Sequence, residues 1–284
     1  MKSLKSKLRR RGFLRGAGLL ALAGAAPGTN RIMWGRPDAV PRTLALIGDR
    51  YHNSDFIRVV LSRLFKSLNL PFDFTTDYEK LSAKLLADYQ LFVCFRDGMI
   101  WPNGYLGPDA FPNTGDLENA DDYPASKPET WITEAQGRAV KEFVENGGGF
   151  YALHNSSHVS LSSKDYRDVM GGAFDGHPPV RPFKVRITNP DHPITRGVSD
   201  FMVTDEQHYL IYDKDPKYVI MRSENLDGLR FGSKGTGSVA GWAYDYGKGR
   251  VAFTAPGHNL HAMLQPEYVK IQHNAVRWLL RMIG

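Results

Sequence analysis

Apolar and polar positions along this chain follow two rhythms. Thr43-Leu-Ala-Leu-Ile47, Leu91-Phe-Val-Cys-Phe95 and Phe150-Tyr-Ala-Leu153 are short runs almost without polar residues. Runs of that length predict strands buried on both faces. Between the first two, Phe56, Val59, Val60, Leu64 and Leu68 recur at helical spacing. Asn53 or Ser54 stands where an N-cap belongs, and Asn69 closes the helix. Phe72–Thr75 predicts a further strand and Leu81–Leu86 a short helix. Thr130 predicts the cap of a helix running to Glu145, with Ile132, Ala135, Ala139, Val140 and Phe143 facing inward. Strand and helix therefore alternate, the pattern of an α/β domain with a mostly parallel sheet.

The second half reads differently. Arg181–Thr188 and Tyr218–Arg222 predict strands. Ser238–Tyr244 and Arg250–Thr254 flank Asp245-Tyr-Gly-Lys-Gly249, a hairpin turn. Glu267–Met282 predicts a closing amphipathic helix. Between the halves' patterned segments, Arg96–Glu129 shows little periodicity and five prolines, which predicts a long loop, lid or insertion. Gly147-Gly-Gly149 precedes a strand instead of joining strand to helix, so it predicts a helix end and turn, not a phosphate cradle.

Charge changes the picture at the N-terminus. The formal net charge of +6 invites a nucleic-acid partner. Residues 1–26, however, hold seven basic residues and no acidic one; removing those seven from the 36 Lys and Arg leaves 29 against 30 Asp and Glu. A near-neutral body gives no field for phosphate backbones, so no nucleic-acid partner is expected. Arg10-Arg11-Gly-Phe-Leu-Arg15 followed by an eleven-residue Gly- and Ala-rich apolar run resembles a twin-arginine export signal. That run is too short for a stable membrane span. The expected organisation is a signal over residues 1–26, a linker over 27–42 and one domain over 43–284, placed in the periplasm or secreted.

Nine histidines carry the candidate chemistry. His52, His154 and His258 each fall just past a predicted strand, as does Asp97. Ligands of open α/β sheets bind outside the carboxyl ends of the strands, so these four are expected on one rim. His154 and His158 stand four apart, which on a helix would present two imidazoles on one face as metal ligands. The segment lacks the Glu of a His-Glu-x-x-His protease motif, and on spacing alone His158 is equally an ordinary surface residue. His177 lies in the glycine-rich Gly171-Gly-Ala-Phe-Asp-Gly-His-Pro178, where residues alone slightly favour an ordinary turn with a solvated imidazole. Asp205-Glu206-Gln-His-Tyr209 combines carboxylates, an imidazole and a phenol, although an Asp-Glu pair is more often plain surface. Cys94 sits inside an apolar strand and reads as a small buried hydrophobe. With no Gly-x-Ser-x-Gly elbow and no Gly-x-Gly-x-x-Gly after the first strand, neither a serine hydrolase nor a nucleotide cofactor is expected.

Together Phe143–His154, Gly171–Pro178, Asp191-His-Pro-Ile-Thr-Arg-Gly197, Asp205-Glu206 with Tyr209, Tyr246–Val251 and Gly257-His258 resemble the ThuA-like (trehalose utilisation) family. The resemblance runs from Thr43 to the C-terminus, leaving Arg96–Glu129 unmatched. It implies a flavodoxin-like or class I glutamine amidotransferase-like three-layer α/β sandwich. In amidotransferases the turn after the strand matching Phe150–Leu153 carries a catalytic cysteine; His154 stands there, so glutaminase chemistry is not implied. Many relatives have Asp-Glu-x-Tyr where this chain has Asp-Glu-Gln-His-Tyr, which leaves His208 without an assigned role. The family's association with sugar metabolism implies a small carbohydrate or keto-sugar substrate. On this reading Glu206 is the base, and His154 and His258 hold a divalent metal such as zinc, with His158 a further ligand, or stabilise an enolate. His52, Asp97, Asn155, His177, Tyr209 and Trp242 bind substrate. The alternative is a non-catalytic carbohydrate-binding protein in which Trp101, Trp242 and Tyr209 stack on a sugar.

Overall fold

A computed structural model of the chain describes residues 40–102 and 127–284. The expected export signal, nearly all of the linker and most of the long loop lie outside the described residues. In chain order the elements are β1 (Thr43–Ile47), α1 (Ser54–Ser67), β2 (Phe72–Thr75), α2 (Ala83–Leu86), β3 (Leu91–Phe95), β4 (Met99–Ile100), β5 (Glu129–Thr130) and α3 (Glu134–Glu145). β6 (Gly149–Leu153), α4 (Ser156–Val159), α5 (Lys164–Met170), β7 (Gly172–Gly176), β8 (Arg181–Ile187), β9 (Phe201–Asp205) and β10 (Tyr209–Tyr212) follow. The last are β11 (Val219–Asn225), β12 (Gly237–Tyr246), β13 (Gly249–Thr254), α6 (Leu260–Met263) and α7 (Pro266–Leu279).

A nine-stranded sheet runs β2-β1-β3-β6-β13-β12-β11-β8-β9. From β2 to β13 every neighbouring pair is parallel. From β13 to β9 every pair is antiparallel. The expected α/β core is thus extended by an antiparallel wing. β1, β3 and β6 are buried along their whole length, since helices cover both faces. The helices form two groups: α3 packs with α2 and α5, and α6 packs with α1 and α7. β8 and β9 alternate buried and partly exposed positions, the mark of a sheet with one covered face. β7 pairs with β10 in a small separate ladder.

Asn53, not Ser54, caps α1, accepting from the Asp55 N–H. Thr130 caps no helix: it lies in β5, paired with Met99 across a two-residue ladder that ties the described ends of the long loop together. The cap is Thr133, which forms a reciprocal capping box with Gln136. Thr133-x-x-Gln136 carried that signal in the sequence, because the reciprocal bond needs Gln three residues after the cap.

Candidate active site

The parallel strands end at one rim, and each delivers polar side chains there. Past β1, Asp49 is buried and gathers donors: the N–H groups of Tyr51 and His52 and, at 2.9 Å, His52 Nδ1. The Asp97 N–H and Asn155 Nδ2 reach its other oxygen at 2.9 and 2.5 Å. Burial works to raise the Asp49 carboxyl, but the bonds from His52 and from backbone N–H groups outweigh it and hold it below its ordinary value. His52 Nδ1 thus lies between the Asp49 carboxylate and Asn155 Nδ2, 2.7 Å away, and its Nε2 faces His258 Nδ1 at 3.2 Å.

Past β6, His154 is fully buried and takes a left-handed backbone, φ 47°. That conformation is uncommon for a residue with a Cβ and turns the chain sharply off the strand. Its Nδ1 lies 2.6 Å from the Ala255 carbonyl, which can only accept, so Nε2 carries the lone pair and points at Glu206 Oε2, 3.5 Å away. Burial disfavours its charged form and lowers its pKa. Past β13, Gly257 packs against the same imidazole; a Cβ there would stand 2.5 Å from His154 Cβ. Asp205, fully buried at the end of β9, accepts from the N–H groups of Gly257 and His258 at 2.6 and 3.1 Å and from Asn259 Nδ2 at 3.2 Å. That carboxylate sets His258 in place, with Nδ1 3.2 Å from Glu206 Oε2. Burial works against charge on His258, but Glu206 outweighs it and raises its pKa.

The antiparallel wing supplies the opposite wall. Between β9 and β10, Glu206 and His208 face the pocket, while Gln207 and Tyr209 turn away to bond Asn225 and the carbonyls of Thr236 and Gly235. This is the period-two alternation of extended chain. Glu206 Oε2 consequently has His154 Nε2 and His208 Nε2 at 3.5 Å, His177 Nε2 at 3.6 Å and His258 Nδ1 at 3.2 Å. Burial raises the Glu206 carboxyl, yet these imidazoles outweigh it and keep it ionised. Burial lowers the pKa of His208 as well, and its ring stacks on that of His154 with centroids 3.9 Å apart.

A pocket of about 350 Å³ opens on this cluster, lined by Tyr51, His52, Asp97, Met99, Asn155, His158, Phe174, His177, Glu206 and His208. Asp97 is pushed up to about 7 by burial, with the charges of Asp49 and Glu206 adding to the effect. Its Oδ1 stands 3.5 Å from His158 Nδ1.

Of the expected site residues, the fold brings His52, His154, Glu206 and His258 together, and Asp97, Asn155 and His177 line the same pocket. His154 and His158 do not form a pair of ligands. The left-handed turn at His154 precedes α4, so helical spacing never applies, and His158 turns to Asp97 instead. Trp242 is not at the site: fully buried, it stacks on Phe253 at 4.3 Å and donates to the Met170 carbonyl. Tyr209 is buried behind the wall, stacked on Phe231 at 4.5 Å. Of the aromatic residues expected to stack on a sugar, Trp101 alone comes near the mouth, edge-on to Tyr51 at 5.6 Å and under the Arg50 guanidinium. Asp49 and His208 belong to the site but were not selected from sequence. Asp49 sits two residues past a buried strand, the same signal that marks Asp97; His208 offered none beyond its distance of two residues from Glu206.

The ThuA family profile, described as trehalose utilisation, matches residues 42–279. No curated protein matches. Among solved structures, the fold is similar to a ThuA-like protein from Parabacteroides merdae (16% identity, 85% of this chain and 90% of that one, TM-score 0.61). It is also similar to a ThuA-like protein from Bacteroides uniformis (18%, 86% and 95%, TM-score 0.56). A third similar structure is a cytoplasmic protein from Salmonella typhimurium (14%, 84% and 99%, TM-score 0.53). With its profile spanning nearly the whole folded domain and its motifs meeting at one rim, the chain belongs to the ThuA family.

Proposed function

We propose that this protein is a metal-assisted enzyme acting on a sugar or keto-sugar, with a divalent cation held by His52, His154, Glu206 and His258. One observation carries the reading: four imidazole nitrogens converge on a single ionised carboxylate oxygen, and the buried His154 Nε2 among them has no hydrogen-bond partner. At 3.5 Å, His154 Nε2 is too far from Glu206 for a sound hydrogen bond and has no other partner, although fully buried. Such spacing suits the edge of a tetrahedral shell, about 3.4 Å for ligands bound at ~2.1 Å. The tautomer of His154 supports it too. His154 donates Nδ1–H to the Ala255 carbonyl, the outer-shell bond that orients a metal-bound histidine.

A cation there supplies Lewis-acid polarisation of a carbonyl or hydroxyl oxygen. The base role moves from Glu206, hemmed in by imidazoles, to Asp97 across the pocket. Ionised above about pH 7, Asp97 takes a proton from carbon beside the polarised carbonyl, and His158 stands within relay distance. Tyr51 and Trp101 offer apolar edges to a sugar ring at the mouth. Export by the twin-arginine route is part of this proposal, supported by Arg10-Arg11 and the apolar run behind them; a reporter fused behind residues 1–30 that stays inside the cell would remove it.

The test combines elemental analysis of the purified protein with conversion of keto-glycosides before and after chelation. Bound zinc, manganese or iron, lost in His154→Ala and His258→Ala together with turnover, is the expected result. Full turnover by chelated, metal-free protein overturns the reading.

A further inference from the structure

We infer that the centre holds two cations, the second bound by His177, His208 and Glu206, with Glu206 bridging. The inference rests on the metal reading above and extends it. Two sets of ligand atoms meet at the pocket, each mutually within 4.8 Å: His52, His154, Glu206 and His258 in one, His177, Glu206 and His208 in the other. The sets share Glu206 and nothing else, so a single ion satisfying the first leaves the second unserved.

The second set repeats one feature of the first, an imidazole oriented by a backbone carbonyl. His177 Nδ1 lies 2.9 Å from the Pro178 carbonyl, so its Nδ1–H donates there and its Nε2 lone pair faces Glu206 at 3.6 Å. At that distance no hydrogen bond joins the two atoms, and the gap between them has room for a shared cation. His208 is almost fully buried, and its Nε2 stands 3.5 Å from the same carboxylate oxygen. A buried imidazole placed this way gains little from packing alone. The backbone is adapted to it as well. Gly176, at φ 152°, delivers His177 to the wall, and a Cβ there would stand 2.4 Å from the Phe231 ring.

Two imidazoles and one carboxylate leave positions open for substrate oxygens; the imidazoles suit zinc, iron or nickel, and the carboxylate admits manganese. Paired cations clamp two oxygens at once. The substrate class this favours is a sugar presenting two adjacent oxygens, a vicinal diol or a hydroxyl beside a ketone.

The experiment counts ions. The full chain is stripped with chelator, reloaded with Zn(II) or Mn(II), dialysed and measured by elemental analysis. Zn(II) titration calorimetry and Mn(II) electron paramagnetic resonance accompany it, and circular dichroism checks each variant's fold. Two ions per chain are expected, with exchange-coupled Mn(II) signals, falling to one uncoupled ion in His177→Ala and in His208→Ala. His177 is partly exposed, so its variant keeps the test open should His208→Ala fail to fold. One ion in the unaltered protein, lost in His154→Ala but kept in His177→Ala, overturns the second site and leaves the first. Two ions persisting in both His177→Ala and His208→Ala also overturn it, and no ion at all overturns both readings.

Discussion

The two walls of the pocket reach the same place by different rules. His52, Asp97, His154 and His258 come from the parallel half, each a few residues past a strand whose carboxyl end lies at the rim. His177, Glu206 and His208 come from the antiparallel side, from the end of β7 and the β9–β10 connection. Parallel strands all finish on one edge, so chain position alone predicts where a residue after a strand will stand. Antiparallel strands finish at alternate edges, and which side chain turns inward depends on pairing and on the period of two. One wall follows from counting along the chain; on the other, His177 and Glu206 were picked by residue type and motif, and pairing decides that they face the pocket.

Asp205 joins the walls, and removing it should have the largest effect. Asp205→Ala would unpair the N–H groups of Gly257 and His258 and free the loop carrying His258. Each buried donor left without its partner costs about 1–3 kcal/mol. Urea melts should show that loss, and metal binding through His258 should weaken even where the domain folds. Unchanged stability would mean that the halves hold together without this contact.

Asp97 probes the parallel wall, where burial is the largest influence on it. Burial raises its folded pKa to about 7 from 3.8, so below pH 7 the folded state binds a proton more readily than the unfolded chain. The protein therefore carries a penalty above about pH 7 that is relieved as pH falls toward 4. Asp97→Asn should stabilise the domain at pH 8 by up to about 4 kcal/mol, with the gain fading by pH 4, while proton-transfer activity is lost. Melting curves across that range would expose a pH-independent change, which would refute the assignment.

Tyr209 probes the other side, with the smallest effect. Its hydroxyl meets Gln207, Asn225 and the Gly235 carbonyl behind the wall. Tyr209→Phe should cost about 1 kcal/mol and leave metal content untouched. A lost or weakened cation in that variant would show that the network behind Glu206 reaches the site.

Much of this was legible along the chain. β1, β3 and β6 are strands sealed on both faces, and sealing writes itself locally as an unbroken apolar run. α1 and α7 each cover one face of the sheet, and their apolar residues recur at the helical period for that reason. His52, Asp97 and His154 could be placed at the rim for the same cause. Pattern measures only how much solvent a residue meets, and never which neighbour it meets. Trp242 and Tyr209 are amphipathic enough to suit a sugar site or a core, and only packing against Phe253 and Phe231 decided for the core. His154 and His158 keep helical spacing in the sequence, but the left-handed turn at His154 separates them.

What the sequence determined by itself was therefore the set of buried elements, and with it the rim, because burial on one or both faces is encoded within a few residues. The site was decided by tertiary structure. Asp49 meets Asn155 across 106 positions and His52 meets His258 across 206, and contacts that distant leave no trace in local periodicity. They exist because the parallel strands bring their ends to one edge and the antiparallel wing folds Glu206 against them, where a buried carboxylate persists only with partners the rest of the chain supplies.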